Sequence, residues 1–176
     1  MAEDQAGTGS MAGSIEGVTL RAVEEKSDLP LLFRIYAASR DREMDLLVHW
    51  SDTEKNTFLR DQFQLQHNHY RAYYPDARFD LILDQGVPVG RLYVAELKDE
   101  LRLMDIALLP EYRGRGIGSA LMRRLLGRAA ESGSLVSLHV EDNNPAKDLY
   151  HRLGFHVVED VGVYKLMHWT PTGPDK

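Results

Sequence analysis

Cysteine is missing from all 176 residues of the sequence. Disulfide frameworks, thiolate metal sites and a cysteine nucleophile are therefore excluded, and nothing in the composition requires an oxidising compartment. The sequence also lacks an apolar run near the roughly 20 residues that cross a bilayer. Its N-terminus has neither the basic n-region nor the apolar h-region of a signal peptide. We therefore expect a cytoplasmic protein without a membrane partner.

Positively charged residues are fewer than negatively charged ones. The sequence has 21 Lys and Arg and 27 Asp and Glu, which gives a net charge of -6. This balance disfavours nucleic acid as a partner, although a local basic patch such as Arg113 with Arg115 is compatible with it. Among the seven histidines, His67 and His69 lie two apart on a predicted helix and diverge by about 200°. We therefore expect no metal site.

The hydrophobic fraction of 43% is sufficient for one continuous core at this length. Residues 1–13 are rich in Gly, Ala, Ser and acidic side chains and have no apolar periodicity. Such a segment buries too little surface to offset its ordering entropy. We expect a disordered tail over 1–13, a single domain over 14–170 and a C-terminal tail over 171–176.

Hydrophobic periodicity and turn residues predict the order of the elements. Residues 18–23 read as a strand, and Ser27 is the expected N-cap of the first helix. A capping box, Ser51 with Glu54, begins a second helix that Pro75 ends. The remaining elements are strands over 79–83 and 88–96 joined by a turn at 84–86, a strand over 101–109, a helix over 116–130, a strand over 134–140, a helix over 145–153 and a hairpin of 155–161 with 163–169.

This order does not alternate strand with helix as a doubly wound fold does. It predicts an α+β domain built around a single mixed, mainly antiparallel sheet of six to seven strands, flanked by about four helices.

A loop with three glycines at every second position, over 113–118, joins a predicted strand to a predicted helix. Backbone amides in such a nest bind phosphate at the positive end of the helix. A Rossmann fingerprint fails here because Ser119 stands at its third glycine, and a P-loop fails because no Gly-Lys pair occurs. A glycine-rich turn that binds nothing is the remaining alternative.

The pattern R-x-x-G-x-G at Arg113, Gly116 and Gly118 resembles the acyl-CoA loop of the GNAT acetyltransferase superfamily. Further along the chain, residues 143–155 resemble the GNAT segment N-x-x-A-x-x-L-Y-x-x-x-G-F at every fixed position. These fixed positions are Asn143, Ala146, Leu149, Tyr150, Gly154 and Phe155. The resemblance implies the GNAT fold, with a V-shaped splay between the fourth and fifth strands, and acetyl-CoA (coenzyme A) as acyl donor without a metal.

The resemblance also implies which residues bind the donor. Backbone groups of Ile106, Ala107 and Leu108 would hold the pantetheine arm together with Asn143, and Ala146 and Tyr150 would line the same site. The amides expected to receive the pyrophosphate are those of Arg113, Gly114, Arg115, Gly116, Ile117, Gly118 and Ser119. Tyr150 is the predicted catalytic acid, because a phenol with an ordinary pKa near 10 can protonate a leaving thiolate.

The acceptor side departs from the family pattern. Many relatives carry a glutamate near the start of the strand before the loop, where this sequence has Arg102, so no base carries over. Glu141 and Asp105 are nearby carboxylates, with a solvated or structural role as the alternative. Gln62, Gln66 and Tyr73 share a polar stripe of the second helix, which either lines the acceptor pocket or faces solvent. The predicted acceptor pocket therefore comprises Arg102, Gln62, Gln66, Tyr73 and Glu141.

The resemblance predicts an N-acetyltransferase that acts on the primary amine of a small molecule, and Arg102 suggests an amino-acid-like acceptor with a carboxylate. A protein or peptide amine is an alternative acceptor. A catalytically silent CoA-binding regulatory module is an alternative of another class. A homodimer is a further expectation, drawn from the family alone.

Overall fold

The computed structural model describes residues 15–171 and contains one seven-stranded sheet with the strand order β1-β2-β3-β4-β5-β7-β6. All neighbouring strands are antiparallel except β4 and β5. The strands are β1 Val18–Ala22, β2 Arg78–Asp84, β3 Val87–Leu97, β4 Glu100–Leu108, β5 Leu135–Glu141, β6 His156–Val161 and β7 Tyr164–Trp169. The helices are α1 Glu25–Ser39, α2 Asp41–Leu46, α3 Asp52–Tyr73, α4 Ile117–Ser132 and α5 Ala146–Arg152, with a 3-10 turn at Pro110–Tyr112. The predicted α+β class is confirmed. The tail predicted for 1–13, and residues 172–176 of the tail predicted for 171–176, lie outside the described residues.

Two hydrophobic clusters cover opposite faces of the sheet. Helix α4 packs on one face of the sheet. The buried residues of this cluster include Leu121 and Leu125 of α4 and Val136 at the start of β5. Helices α1 and α3 close the other face, where Ile35 and Phe63 pack on Leu81. The chain therefore forms a helix-sheet-helix sandwich, and any site at the end of a strand is bordered by helices of both layers.

The start of α1 differs from the prediction. Ser27 was expected to be the N-cap, but α1 begins at Glu25 after Glu24, and Ser27 lies inside the helix. The amide of Glu24 donates to the Asp28 carboxylate at 2.7 Å, and Arg21 from β1 holds the same carboxylate at 2.9 Å. The prediction was wrong because Asp28, held by Arg21, accepts from the amide of Glu24 and so fixes the start of the helix at that residue, without any side-chain cap of the first turn.

Two local predictions are confirmed. The Ser51 hydroxyl accepts from the Glu54 amide, while the Glu54 carboxylate accepts from the Ser51 amide, so the capping box of α3 is complete. The hairpin turn between β2 and β3 places Gln85 and Gly86 at positive φ, as a tight two-residue turn requires. Helix α2 was missed, because six residues without a side-chain cap give little periodic signal.

Strand β4 contains a bulge that opens the sheet. Val94 of β3 faces Leu103, but Tyr93 faces Asp105, so Met104 is an extra residue in β4. The parallel pairing of β4 with β5 ends at the Leu103 and Leu138 pair, although both strands continue beyond it. The two strands diverge after this point, which is the predicted splay between the fourth and fifth strands.

Candidate functional site

A cleft of about 430 Å³ lies where β4 and β5 diverge. Four parts of the chain border it: the junction of α1 with α2, the end of β4, the start of α4, and the segment from the end of β5 into α5. The lining residues are Ala38, Ser39, Asp41, Arg42, Glu43, Ile106, Ala107, Leu108, Arg113, Gly118, Met122, Glu141, Asn143, Asn144, Pro145, Ala146, Leu149 and Tyr150.

The glycine loop has the backbone that an anion cradle requires. Gly114 and Gly116 adopt φ values of +72° and +82°, in the left-handed region where a side chain is strained. Gly116 caps α4 without a side-chain hydrogen bond, so the amides of the first helical turn are free to bind a ligand. Gly118 lines the cleft, and a Cβ added there would meet no atom within 4 Å. The space above Gly118 is therefore cleft rather than protein core, which fits a bound pyrophosphate.

Arg113 connects this loop to the rest of the site. Its Nε donates to the carbonyl of Leu108 at 2.9 Å, and its Nη2 donates to the carbonyl of Ala38 at 3.1 Å. The guanidinium thus joins the end of β4 to the end of α1 at the rim of the cleft. Arg115 instead stacks on the ring of Tyr112, at 5.0 Å from the ring centroid.

The cleft brings together most of the predicted donor-binding residues. Ile106, Ala107 and Leu108 reach it from β4, Arg113 and Gly118 from the loop, and Asn143, Ala146 and Tyr150 from the α5 region. The side chain of Ile117 points into the core, so this residue can offer a ligand only its backbone. Gly114, Arg115, Gly116 and Ser119 belong to the same loop but are outside the lining.

Tyr150 is almost fully buried at the floor of the cleft and contacts Phe155, with ring centroids 5.7 Å apart. Burial and, to a smaller extent, the nearby charge of Asp105 together raise the pKa of Tyr150 to about 12. The phenol therefore keeps its proton throughout the physiological range. Such a group can donate a hydrogen bond or a proton, but cannot serve as a base at neutral pH.

Only Glu141, of the five residues predicted for the acceptor pocket, lines the cleft. Arg102 lies near the start of β4, where it pairs with Glu100 and donates to Ser137. The remaining three are on α3: Gln66 accepts from Arg91, Gln62 is half-buried, and Tyr73 is 72% exposed and stacks on His69.

The sequence patterns missed the whole contribution of the α1–α2 junction. Arg40 lies at this junction, where its Nη1 contacts Glu43 at 3.0 Å and Glu141 at 3.5 Å. The missed α2 helix explains this omission, since no element was predicted to place these residues. Arg91 was also missed, although a charged residue inside the apolar strand β3 was a usable signal.

His139 is another polar residue that the sequence patterns passed over. It lies on β5 two residues before Glu141 and therefore on the same face of the sheet. Burial lowers the pKa of His139, and the positive charge of Arg102 lowers it further. The imidazole is therefore neutral at physiological pH, and it lies outside the residues that line the cleft.

Within residues 15–171, no group of three or more His, Asp or Glu side chains is arranged to hold a metal ion. The same part of the chain has no helix that is both long and apolar enough to cross a membrane.

The acetyltransferase (GNAT) family model matches residues 38–155. The chain is 32% identical over 93 residues to the [ribosomal protein bS18]-alanine N-acetyltransferase of Haemophilus influenzae, which covers 52% of this chain and 62% of that protein. It is 46% identical over 61 residues to the mycothiol acetyltransferase of Corynebacterium aurimucosum, which covers 34% of this chain and 20% of that protein. The chain therefore spans less than two thirds of the length of each of these relatives.

Solved structures share the fold at low identity. The PaiA N-acetyltransferase of Thermoplasma acidophilum, in complex with coenzyme A, has a TM-score of 0.66 and 19% identity over 87% of this chain and 98% of that one. The ribosomal-protein-S18-alanine N-acetyltransferase of Escherichia coli has a TM-score of 0.58 and 20% identity over 90% and 97%. At these identities the likeness concerns the fold alone.

Proposed function

Because the chain belongs to the acetyltransferase (GNAT) family, we propose that it transfers the acetyl group of acetyl-CoA to the primary amine of a small molecule. The observation that carries this proposal is the cleft between β4 and β5, which places Tyr150 beside the free end of β4 and close to the glycine loop. One continuous surface would then bind the thioester and the pyrophosphate of the donor and supply the general acid.

The donor supplies a thioester, which is an acyl group already activated for attack by an amine. The amides of the first turn of α4 would receive its pyrophosphate. Backbone groups of Ile106 to Leu108 have no partner in β5 and would bind the pantetheine arm as a strand binds its neighbour. Hydrogen bonds from the same edge would stabilise negative charge on the thioester oxygen.

Proton transfer completes the reaction. The acceptor arrives as an ammonium ion, and only its free amine is nucleophilic. Asp41, Glu43 and Glu141 are the carboxylates that line the cleft. Glu141 is our proposed proton acceptor, because it lies at the end of β5, where β4 and β5 diverge.

Glu141 takes one proton from the ammonium ion before the attack. As the carbon-nitrogen bond forms and the carbon-sulfur bond breaks, the Tyr150 hydroxyl donates its proton to the sulfur, and the second proton lost by the nitrogen returns to the Tyr150 oxygen. Glu141 then releases its proton to solvent. We do not assign Arg102 the predicted role of pairing with a carboxylate of the acceptor, because Glu100 already neutralises its guanidinium.

A polypeptide N-terminus is the second candidate acceptor. The bS18-alanine relative supports it, as does an exposed apolar segment that directly follows the cleft-lining residues of α2. Leu46 and Val48 in this segment are 79% and 75% exposed. A polypeptide acceptor would cover such a surface, whereas a small amine would not.

A cytoplasmic location and a homodimer stay predictions from the sequence.

The test is release of free thiol from acetyl-CoA by the full chain, with a panel of amines, amino acids, polyamines and peptides. We expect release with at least one primary amine and a strong loss of turnover in Tyr150→Phe at unchanged affinity for CoA. Tyr112→Phe is the matched control, because it removes a phenol outside the cleft lining. Binding of CoA without thiol release from any acceptor would favour the regulatory module instead.

A further inference from the structure

The three glycines of the glycine loop differ in what surrounds them. A Cβ added to Gly114 or Gly118 would meet no atom within 4 Å. A Cβ added to Gly116 would come within 3.3 Å of the Cδ1 atom of Ile15. Gly116 is the N-cap of α4 and adopts the left-handed conformation, with a φ of +82°. An apolar side chain from the segment before β1 therefore packs against the residue from which α4 starts.

Ile15 is tied to the rest of the protein on several sides. Its side chain is half-buried against the hydrophobic cluster that α4 covers. Its carbonyl accepts from the Val18 amide at 3.3 Å, so residues 15–18 form a turn. The Gln85 side chain, at the tip of the β2–β3 hairpin, donates to the Glu16 carbonyl at 3.3 Å. These contacts leave Ile15 little freedom to move away from the glycine loop.

A second contact joins the start of β1 to α4. The Nη1 atom of Arg124, on α4, donates to the Val18 carbonyl at 2.9 Å. Strand β1 lies at one edge of the sheet, where β2 is its neighbour. The N-terminal end of β1 is thus held to α4 at two points, by Arg124 along the helix and by Ile15 at the N-cap.

The packing of Ile15 leaves the cleft open. Gly118 lines the cleft, whereas Ile15 is outside the lining, so its side chain does not occupy the space of a donor. The amides of the first turn of α4 point to one place only while the N-cap keeps its conformation. A loop that samples other conformations binds more weakly, because the ligand must then order it. Ile15 supplies this order before the ligand arrives.

We propose that Ile15 is a positioning residue of the donor site, which holds Gly116 in the conformation that directs the first-turn amides of α4 at the pyrophosphate. This inference rests on the proposed function, because it takes the glycine loop as the site of the donor. The coupling is reciprocal by thermodynamic linkage. A donor bound to the loop therefore makes the segment of Ile15 and β1 harder to open.

Titration calorimetry of the full chain with CoA measures the first effect. Ile15→Ala removes the atoms that contact Gly116 and should raise the Kd for CoA by roughly 3- to 10-fold, as expected for the loss of preorganisation. Ile15→Leu keeps the volume of the side chain and should restore the wild-type Kd. In the thiol-release assay, Ile15→Ala should raise the KM for acetyl-CoA and leave kcat at saturating donor unchanged.

Leu20→Ala is the matched control. Leu20 is an apolar residue of β1 that is 37% exposed, and it lines a separate small cavity together with Leu125 of α4. Its replacement should lower the melting temperature without changing the Kd for CoA. A merely structural role of Ile15 would give the same result in Ile15→Ala, a lower melting temperature at unchanged affinity.

Hydrogen exchange measures the reciprocal effect. Edge strands exchange their amides through local opening, and β1 and β6 form the two edges of this sheet. Saturating CoA should slow the exchange of β1 in the wild type more than that of β6. In Ile15→Ala, saturated with CoA to the same degree, the additional protection of β1 should be lost.

The inference is overturned if Ile15→Ala binds CoA as tightly as the wild type, if Leu20→Ala loses as much affinity, or if CoA protects β1 no more than β6. A loss of kcat in Ile15→Ala at an unchanged KM would also overturn it. Absence of thiol release with every amine would instead defeat the acetyl-transfer proposal. Calorimetry and hydrogen exchange do not depend on turnover, so the two failures are distinguishable.

Discussion

Replacing Gly118 by alanine separates the stability of the fold from the binding of the donor. Gly118 lies in the first turn of α4, and a Cβ added there would meet no atom within 4 Å. The change therefore costs nothing in packing, and it reduces the conformational entropy of the unfolded chain. A helical Gly→Ala replacement stabilises by roughly 0.5–1 kcal/mol. For a chain of this size we expect the melting temperature to rise by about 1–4 °C.

The same methyl group enters the cleft that Gly118 lines. It would prevent the close approach of a phosphate to the amides of the first turn of α4. Loss of one hydrogen bond to a charged group costs about 1.5–3 kcal/mol. We therefore expect the Kd for CoA to increase by roughly 10- to 150-fold, measured by titration calorimetry beside a thermal melt.

Gly127→Ala is the matched control, since Gly127 is exposed in the middle of the same helix and a Cβ there also meets nothing. It should raise the melting temperature and leave the Kd for CoA unchanged. Wild-type affinity for CoA in Gly118→Ala would refute the assignment of the loop as the pyrophosphate site. A lower melting temperature in that variant would refute the packing argument.

Three further predictions follow from particular residues. Tyr150→Phe should lower kcat by about 10²- to 10⁴-fold. Because burial raises the pKa of Tyr150 to about 12, the wild-type kcat should show no loss from phenol ionisation between pH 7 and 10. A pH profile of thiol release with an alkaline decline that the Phe variant lacks would contradict this. Ser51→Ala removes the capping box of α3 and should cost about 1 kcal/mol in urea unfolding; an unchanged unfolding free energy would contradict this. The Arg21 hydrogen bonds lower the pKa of Asp28, so this carboxylate contributes stability that is present above the pKa of an unfolded aspartate and is lost as the pH falls through the pKa of folded Asp28. Asp28→Asn should therefore reduce the fall of the unfolding free energy with decreasing pH below about pH 4. The same fall in the variant and the wild type would show that the pair contributes nothing.

Local signals in the sequence predicted much of the fold. The capping box at Ser51 and the turn at Gln85 and Gly86 act through neighbouring backbone groups, so the residues alone specify the conformation. The start of α1 was not predictable in this way, because Asp28 owes its capping role to Arg21 on a separate strand. Helix α2 has one buried residue, Met44, so its six residues carry no apolar periodicity that a sequence pattern could detect.

The donor side of the site was predictable because its residues are close together in the sequence. The acceptor side was not predictable, because its residues are brought together only by the fold. Glycines at positive φ and the segment from Asn143 to Phe155 are contiguous in sequence. The acceptor side depends on tertiary register, since one bulged residue, Met104, moves Asp105 to the other face. The sequence of β4 does not say which of its residues the neighbouring strand leaves without a partner. Arg40 and Arg91 are distant in sequence, yet their guanidinium groups lie 5.5 and 5.8 Å from the centroid of the same Tyr36 ring.

The place of β1 in the sheet has a consequence for how the chain folds. The other strand pairs close over a hairpin turn, over the segment that contains α4, or over α5 and β6 together. In contrast, β1 pairs with β2 across residues 23–77, with Ala22 opposite Asp80. Closing a loop of this length has a large entropic cost before any contact repays it. Strands β2 to β7 can therefore assemble first, with β1 docking late at the edge. Mutations that weaken β1 should accelerate unfolding far more than they slow folding.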